Sequence, residues 1–420
     1  MTNKKFKLAA MSLATAVAVS AVGPSASAVT YQLENGDVTV AENEKGAFSY
    51  QNTANGKTGD VYVDEDTQDN GQIIITQAEG TKTDNTVTVE EDVTNDKGKR
   101  DVDIILDGVN VDTSDTSTQT DTPTEVPADA KEDKTIIKVG EGADVDLTVK
   151  NSNLTTGGNG IDIGVNLKDD DDNKETNVDL TLDNTKVNLT QNGKAGINVQ
   201  DNSNVDLTLK GENAIDGSKA IENEDLKKNV NVEGIRVGGG GAGDGSGASE
   251  GAKTHLTISG GVEKTETAEA DTEETESPAG GSLTISKTTG GLVMADGSDV
   301  EITDGADVTI EDTKTSSSTQ AGRAVTQHGD LTLSGGSSLT IDGGKDNKAP
   351  HTGIGIASWD DITVEDGSTL DISGAATGIY GHQGSDANLT VEDSTLNISD
   401  VKKAIEYEGA QGGKGTQICR

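Results

Sequence analysis

The sequence predicts an all-β chain wound into a right-handed parallel β-helix, a solenoid of about three short strands per coil with long disordered loop insertions. Three observations predict it. Short runs alternate apolar residues with Asp, Thr, Glu or Ser, the period of a strand with one buried face. Turn formers (Gly, Asn, Asp and Ser) stand between the runs. The runs also recur. Gly353-Ile354-Gly355-Ile356 leads to Ile362-Thr363-Val364 and Leu370-Asp371-Ile372, and the series restarts at Gly378-Ile379 and Ala404-Ile405, about 25 residues apart.

Composition agrees with a narrow bore lined by small apolar residues. Hydrophobic residues are 31% of the chain, against roughly 45–50% in ordinary domains. Aromatics are 2%, while Gly numbers 53. The net charge of −41 argues against nucleic acid as a partner, because phosphate contact needs clustered Lys and Arg. A multi-span membrane protein is excluded, since the one apolar run sits at the N-terminus. Low hydrophobicity and high charge are also the signature of disorder, but the alternating triplets argue against it over most of the chain.

Along the chain, residues 1–28 read as a signal peptide: Lys4, Lys5 and Lys7, an apolar stretch from Leu8 to Val22, and the small-x-small site Ala26-Ser27-Ala28. The expected location is therefore secreted or cell-surface, with no membrane insertion once that segment is removed. Residues 29–112 carry Val38-Thr39-Val40, Ile73-Ile74-Ile75, Val87-Thr88-Val89 and Ile104-Ile105-Leu106 at irregular spacing, an N-terminal cap with the first coils. Residues 113–134 are a Thr/Asp/Pro-containing disordered insert. Residues 135–237 hold coils such as Val145-Asp146-Leu147-Thr148-Val149. Residues 238–281 read as a Gly-rich and acidic loop insertion, 282–410 as further coils, and 411–420 as a tail. The one cysteine, Cys419, forms no intramolecular disulfide.

Catalysis finds little support in the sequence. Asp360-Asp361 and Gly381-His382-Gln383-Gly384 carry fragments of a pectin-hydrolase pattern. No Asn-Thr-Asp precedes the first and no Arg-x-Lys follows the second. The chain is read as non-enzymatic, with a lyase or hydrolase as a further alternative. Carbohydrate contact is the better match to the few aromatics. By strand parity, Trp359 projects outward if Ile354 and Ile356 point inward, and Tyr380 projects outward beside Ile379, giving a small stacking platform. Arg323, inside a strand-like triplet, and His382 join them as candidate carbohydrate-binding residues. Tyr407, two past Ile405, is expected to point inward and close the bore.

Calcium is the expected cofactor, because acidic turns recur and this ion takes carboxylate and turn oxygens. The candidate ligands are Asp162, Asp169, Asp171, Asp342 and Asp366. The run Asp169-Asp170-Asp171-Asp172-Asn173 opens like an EF-hand loop, then has Lys174 where Gly belongs and Leu180 where Glu belongs.

The units Leu331-Thr332-Leu333-Ser334-Gly335-Gly336, Leu339-Thr340-Ile341 and Leu154-Thr155-Thr156-Gly157-Gly158-Asn159-Gly160-Ile161-Asp162 resemble the coils of a secreted carbohydrate-binding β-helix family of clostridia and related Gram-positive bacteria. The resemblance covers about residues 135–410. It implies a right-handed β-helix, calcium in the turns, and binding of acidic or cellulosic plant polysaccharide without cleavage. Asn159 stands where the family has Asp, and no Asp precedes Gly353-Ile354 or Gly378-Ile379. The expected partner is thus a polysaccharide. An adhesin or structural spacer contacting a host or cell-wall surface is the alternative.

Overall fold

A computed structural model describes residues 28–42, 48–52, 58–61, 71–93, 102–114, 134–168, 174–222, 231–239, 253–261, 280–313, 322–346, 349–350, 352–382 and 387–407. The segment read from sequence as a signal peptide (save Ala28), most of the 113–134 insert, Asp169, Asp171 and the 411–420 tail lie outside those residues.

The chain is a parallel β-helix. Three sheets of 11, 9 and 13 strands run along the described solenoid; the 9-stranded one starts at Asn110–Asp112, and each full coil from there on contributes one strand to each. One coil serves as an example: Asp144–Lys150 lies in the first sheet, Asn153–Thr156 in the second and Ile161–Val165 in the third, before Thr176–Asp183 returns to the first. Register is exact to the residue type. Val145, Leu147 and Val149 sit under Val178, Leu180 and Leu182, which sit under Val205, Leu207 and Leu209. Each of these nine is at most 2% exposed. The alternating pattern fixes this register, because a one-residue slip would turn every apolar side chain to water.

The third sheet explains the recurring Gly-Ile dipeptide. Its inward ladder runs Ile161, Ile197, Ile235, Leu292, Val325, Ile356, Ile379 and Ile405. The residue before each rung is Gly160, Gly196, Gly234, Gly291, Ala324, Gly355, Gly378 or Ala404. Here the backbone crosses close to an apolar residue of the second sheet. A Cβ on Gly234 would stand 2.3 Å from Ile285 Cγ2 and 2.5 Å from the Gly291 carbonyl oxygen. The glycine column is therefore a demand of close approach rather than of backbone twist.

The N-terminal region is ordered as coils, with all four expected strands buried in the core. An antiparallel hairpin, Phe48–Asn52 with Thr58–Val61, extends the third sheet beyond Val38–Glu42. It covers one strand edge at that end. The 113–134 insert leaves and rejoins at one point, where Thr113 Oγ1 donates to the Lys134 carbonyl oxygen at 2.7 Å.

Two expectations are corrected. The 238–281 segment is not one loop insertion: Thr254–Gly260 is a strand of the first sheet, with Leu256 and Ile258 in the core. Its Leu-Thr-Ile alternation is the coil signature, masked in composition by Gly-rich and acidic neighbours. Ile354 does not line the bore. A register shift between Gly322 and Arg323 opposite Thr352 and Ile354 places Ile354 between Arg323 and Thr377, in a row that continues to Lys403. It is only half-buried there, whereas Ile356 is 0% exposed. Tyr407 does pack inward over Gly381 on the last described coil.

Candidate functional site

Arg323, Trp359, Tyr380 and His382 come together on the outside of the third sheet. Strands Gly322–Gln327, Thr352–Ser358 and Thr377–Gly381 stack so that Gln327, Ser358 and Gly381 are partners. The next residue of each (His328, Trp359 and His382) therefore occupies one position on three successive coils. Their backbone N–H groups hold the stack: His328 donates to the Met294 carbonyl at 3.2 Å, Trp359 to Gln327 at 3.0 Å and His382 to Ser358 at 3.0 Å.

Coils about 4.8 Å apart bring flat side chains into contact when the rings tilt. His328 and Trp359 stack with centroids 3.9 Å apart at 16°, and Trp359 and His382 at 3.5 Å and 12°. Tyr380 meets His382 edge-on, at 4.7 Å and 90°. The Arg323 guanidinium carbon is 5.7 Å from the Trp359 ring centroid, within cation–π reach.

This column corrects the stacking platform. A sugar stacks on a free aromatic face, and both faces of Trp359 are covered by imidazoles. What the column presents is its edge, where rings carry positive potential and N–H donors and so attract oxygen. His328 was not among the residues singled out from sequence. The signal for it was the 31-residue offset to Trp359, the same offset that links Asp299, Asp330 and Asp361.

Those three aspartates form a ladder beside the column. Asp330 N–H donates to Asp299 Oδ1 at 3.3 Å, and Asp361 N–H to Asp330 Oδ1 at 3.3 Å. Asn388 then gives Asp361 Oδ1 its backbone N–H at 2.8 Å and its side-chain amide at 2.9 Å. Burial pushes the Asp330 carboxyl above its ordinary range; Asp299 and Asp361 push it further, against the opposing Asp361 N–H bond. Burial likewise raises Asp360, with Asp330, Asp296, Asp361 and Asp299 adding to it. A carboxyl raised in the folded state binds protons more tightly there. Its favourable contribution is complete below the unfolded value and fades as pH rises through the folded one. Asp330→Asn, which keeps an acceptor and removes the charge, should thus raise the melting temperature at pH 7. Thermal unfolding followed across pH should show that gain vanish below about pH 4.

Of the acidic residues expected to hold calcium, the three that are described lie on different strands or turns, while Asp169 and Asp171 fall outside the described residues. Asp162, on the third sheet, accepts Asn198 Nδ2 at 2.7 Å, Gln200 Nε2 at 2.9 Å and Asn159 Nδ2 at 2.8 Å, so amides already fill the place of a cation. Asp342, ending a strand of the second sheet, accepts the Gly344 N–H at 3.0 Å. Asp366 is an exposed turn residue with φ 55°, a left-handed position that Asp tolerates. Among the described residues, no group of three or more His, Cys, Asp or Glu side chains converges to hold a metal ion. Asp162, Asp342 and Asp366 therefore do not come together as one set of ligands. No family model matches the chain, and no curated protein or solved structure matches it significantly.

Proposed function

We propose that this is a secreted, non-catalytic polysaccharide-binding solenoid that holds an extended glycan along the outside of its third sheet. The observation that carries the reading is the convergence of Arg323, Trp359, Tyr380 and His382 from three successive coils. Such a patch matches a sugar chain in chemistry. The ring edges of the column favour hydroxyl oxygens, Tyr380 supplies apolar surface for C–H faces, and Arg323 donates hydrogen bonds. A lateral sheet surface also suits a polymer gripped along its length. The neighbouring Asp299–Asp330–Asp361 ladder and the net charge of −41 oppose an anionic chain, so neutral plant-type glycans are favoured over acidic ones.

A hydrolytic reading rests on the same place, since a carboxyl raised by burial beside other carboxylates is the arrangement of a general acid. The two readings separate in one set of incubations. Affinity electrophoresis on soluble cellulose derivatives, xylan and polygalacturonate should retard the protein in at least one neutral glycan. Trp359, the single tryptophan, should change its fluorescence on binding. Tyr380→Ala should weaken retention by about tenfold, the loss of one good aromatic contact, and no reducing ends should be released. Retention on no glycan would reject the proposal. Release of reducing ends that is lost in Asp360→Asn would put hydrolysis first.

A further inference from the structure

A second cluster lies on the same outer face, nearer the N-terminus. Asp162, Asn198, Arg236, Val293, Thr326, Ala357 and Tyr380 are successive rungs of one ladder. Asn198 and Arg236 are neighbours in it, and each is 7% exposed. Both are pinned. Asn198 gives its amide nitrogen to Asp162 Oδ1 at 2.7 Å, which fixes the direction of its oxygen. Arg236 gives Nε to Glu233 Oε2, and the other oxygen of that carboxylate takes Asn231 Nδ2 at 2.9 Å. The Arg236 side chain is 9% exposed and that of Glu233 2%.

After these bonds, Asn198 Oδ1 and Arg236 Nη2 are each left buried with no partner. Asn198 and Arg236 are paired on adjacent coils, and leaving a buried acceptor on one and a buried donor on the other unmet costs on the order of 1–3 kcal/mol for each group. One hydroxyl answers both, donating to Asn198 Oδ1 and accepting from Arg236 Nη2. An anion fits less well. The guanidinium charge is already matched by Glu233, so a carboxylate or sulfate would have to displace a buried partner.

We propose that Asn198 and Arg236 form a subsite for a single hydroxyl of a neutral sugar, presented end-on to these two adjacent rungs of the third sheet. This rests on the glycan-binding reading above and deepens it. The subsite shares a ladder with Tyr380 but is separated from it by the buried rungs Val293, Thr326 and Ala357, at 8%, 7% and 0% exposure. A bound chain therefore touches the face at two separated points.

The experiment titrates full-length protein with cellohexaose, xylohexaose and hexagalacturonate by calorimetry. Arg236→Lys keeps the charge opposite Glu233 and removes Nη2; Asn198→Ala removes the acceptor and leaves the Glu233–Arg236 pair intact. Each should weaken binding of a neutral hexasaccharide by about tenfold, with the circular dichroism spectrum unchanged. If Arg236→Lys fails to fold, Asn198→Ala alone decides. Wild-type affinity unmoved by either folded variant, while Tyr380→Ala weakens it, would overturn the subsite and leave the glycan-binding reading standing; water then fills the gap. Tighter binding of hexagalacturonate than of both neutral probes would overturn the assignment to neutral hydroxyls. Binding of none of the three, by wild-type protein, would remove both readings.

Discussion

Leu207→Ala should lower the free energy of unfolding by about 2–5 kcal/mol, as large-to-small changes in rigid cores do. Leu207 is 0% exposed. It lies in a ladder with Leu147, Leu180, Ile258, Ile302, Leu333 and Val364. The coils above and below are bonded to their own neighbours, so they cannot collapse into the space left behind. The effect should depend on position along the axis. Leu396 and Ile405, on the last described coil, are only partly buried, and Leu396→Ala should cost markedly less. Urea unfolding of the two variants in parallel measures this. Equal losses at both positions would contradict a solenoid in which each coil is stabilised chiefly by its immediate neighbours.

The second large effect comes from adding atoms. Gly234→Val would place a branched side chain where a Cβ alone already meets Ile285 Cγ2 at 2.3 Å and the Gly291 carbonyl at 2.5 Å. Overpacking typically costs about 1–3 kcal/mol, and here backbone as well as side chain stands in the way, so we expect the upper end or above. Gly234→Ala should be milder, because the same column accommodates Ala324 and Ala404. Thermal melts of the Val and Ala variants side by side, with valine far the worse, would establish close approach as the reason for the Gly-Ile motif. A tolerated valine would refute it.

Much of the fold was legible in the sequence, because a β-helix repeats its demands at every coil. Alternation marked the strands, turn residues marked the corners, and recurrence marked the stack. Thr254–Gly260 was lost only because composition, averaged across Gly-rich and acidic flanks, concealed a five-residue pattern. Ile354 was misplaced because strand parity cannot see a bulge: Gly353 is an extra residue in one of two paired strands, and only the pairing reveals it.

The candidate site divides the same way. The sequence by itself determined which side chains are scarce, one Trp and a few Tyr and His in a polar chain, and that Trp359, Tyr380, His382 and Arg323 lie in the repeating region. Only the tertiary structure decided what they do to each other. Stacking of coils placed His328 and His382 on the two faces of Trp359, joined Asp299, Asp330 and Asp361 into a ladder, and filled the oxygens of Asp162 with amides. The physical reason is that a strand's own period is local, whereas the register between coils is set by the lengths of the segments that join them. A side chain's neighbours along the axis are thus fixed by pairing across tens of residues.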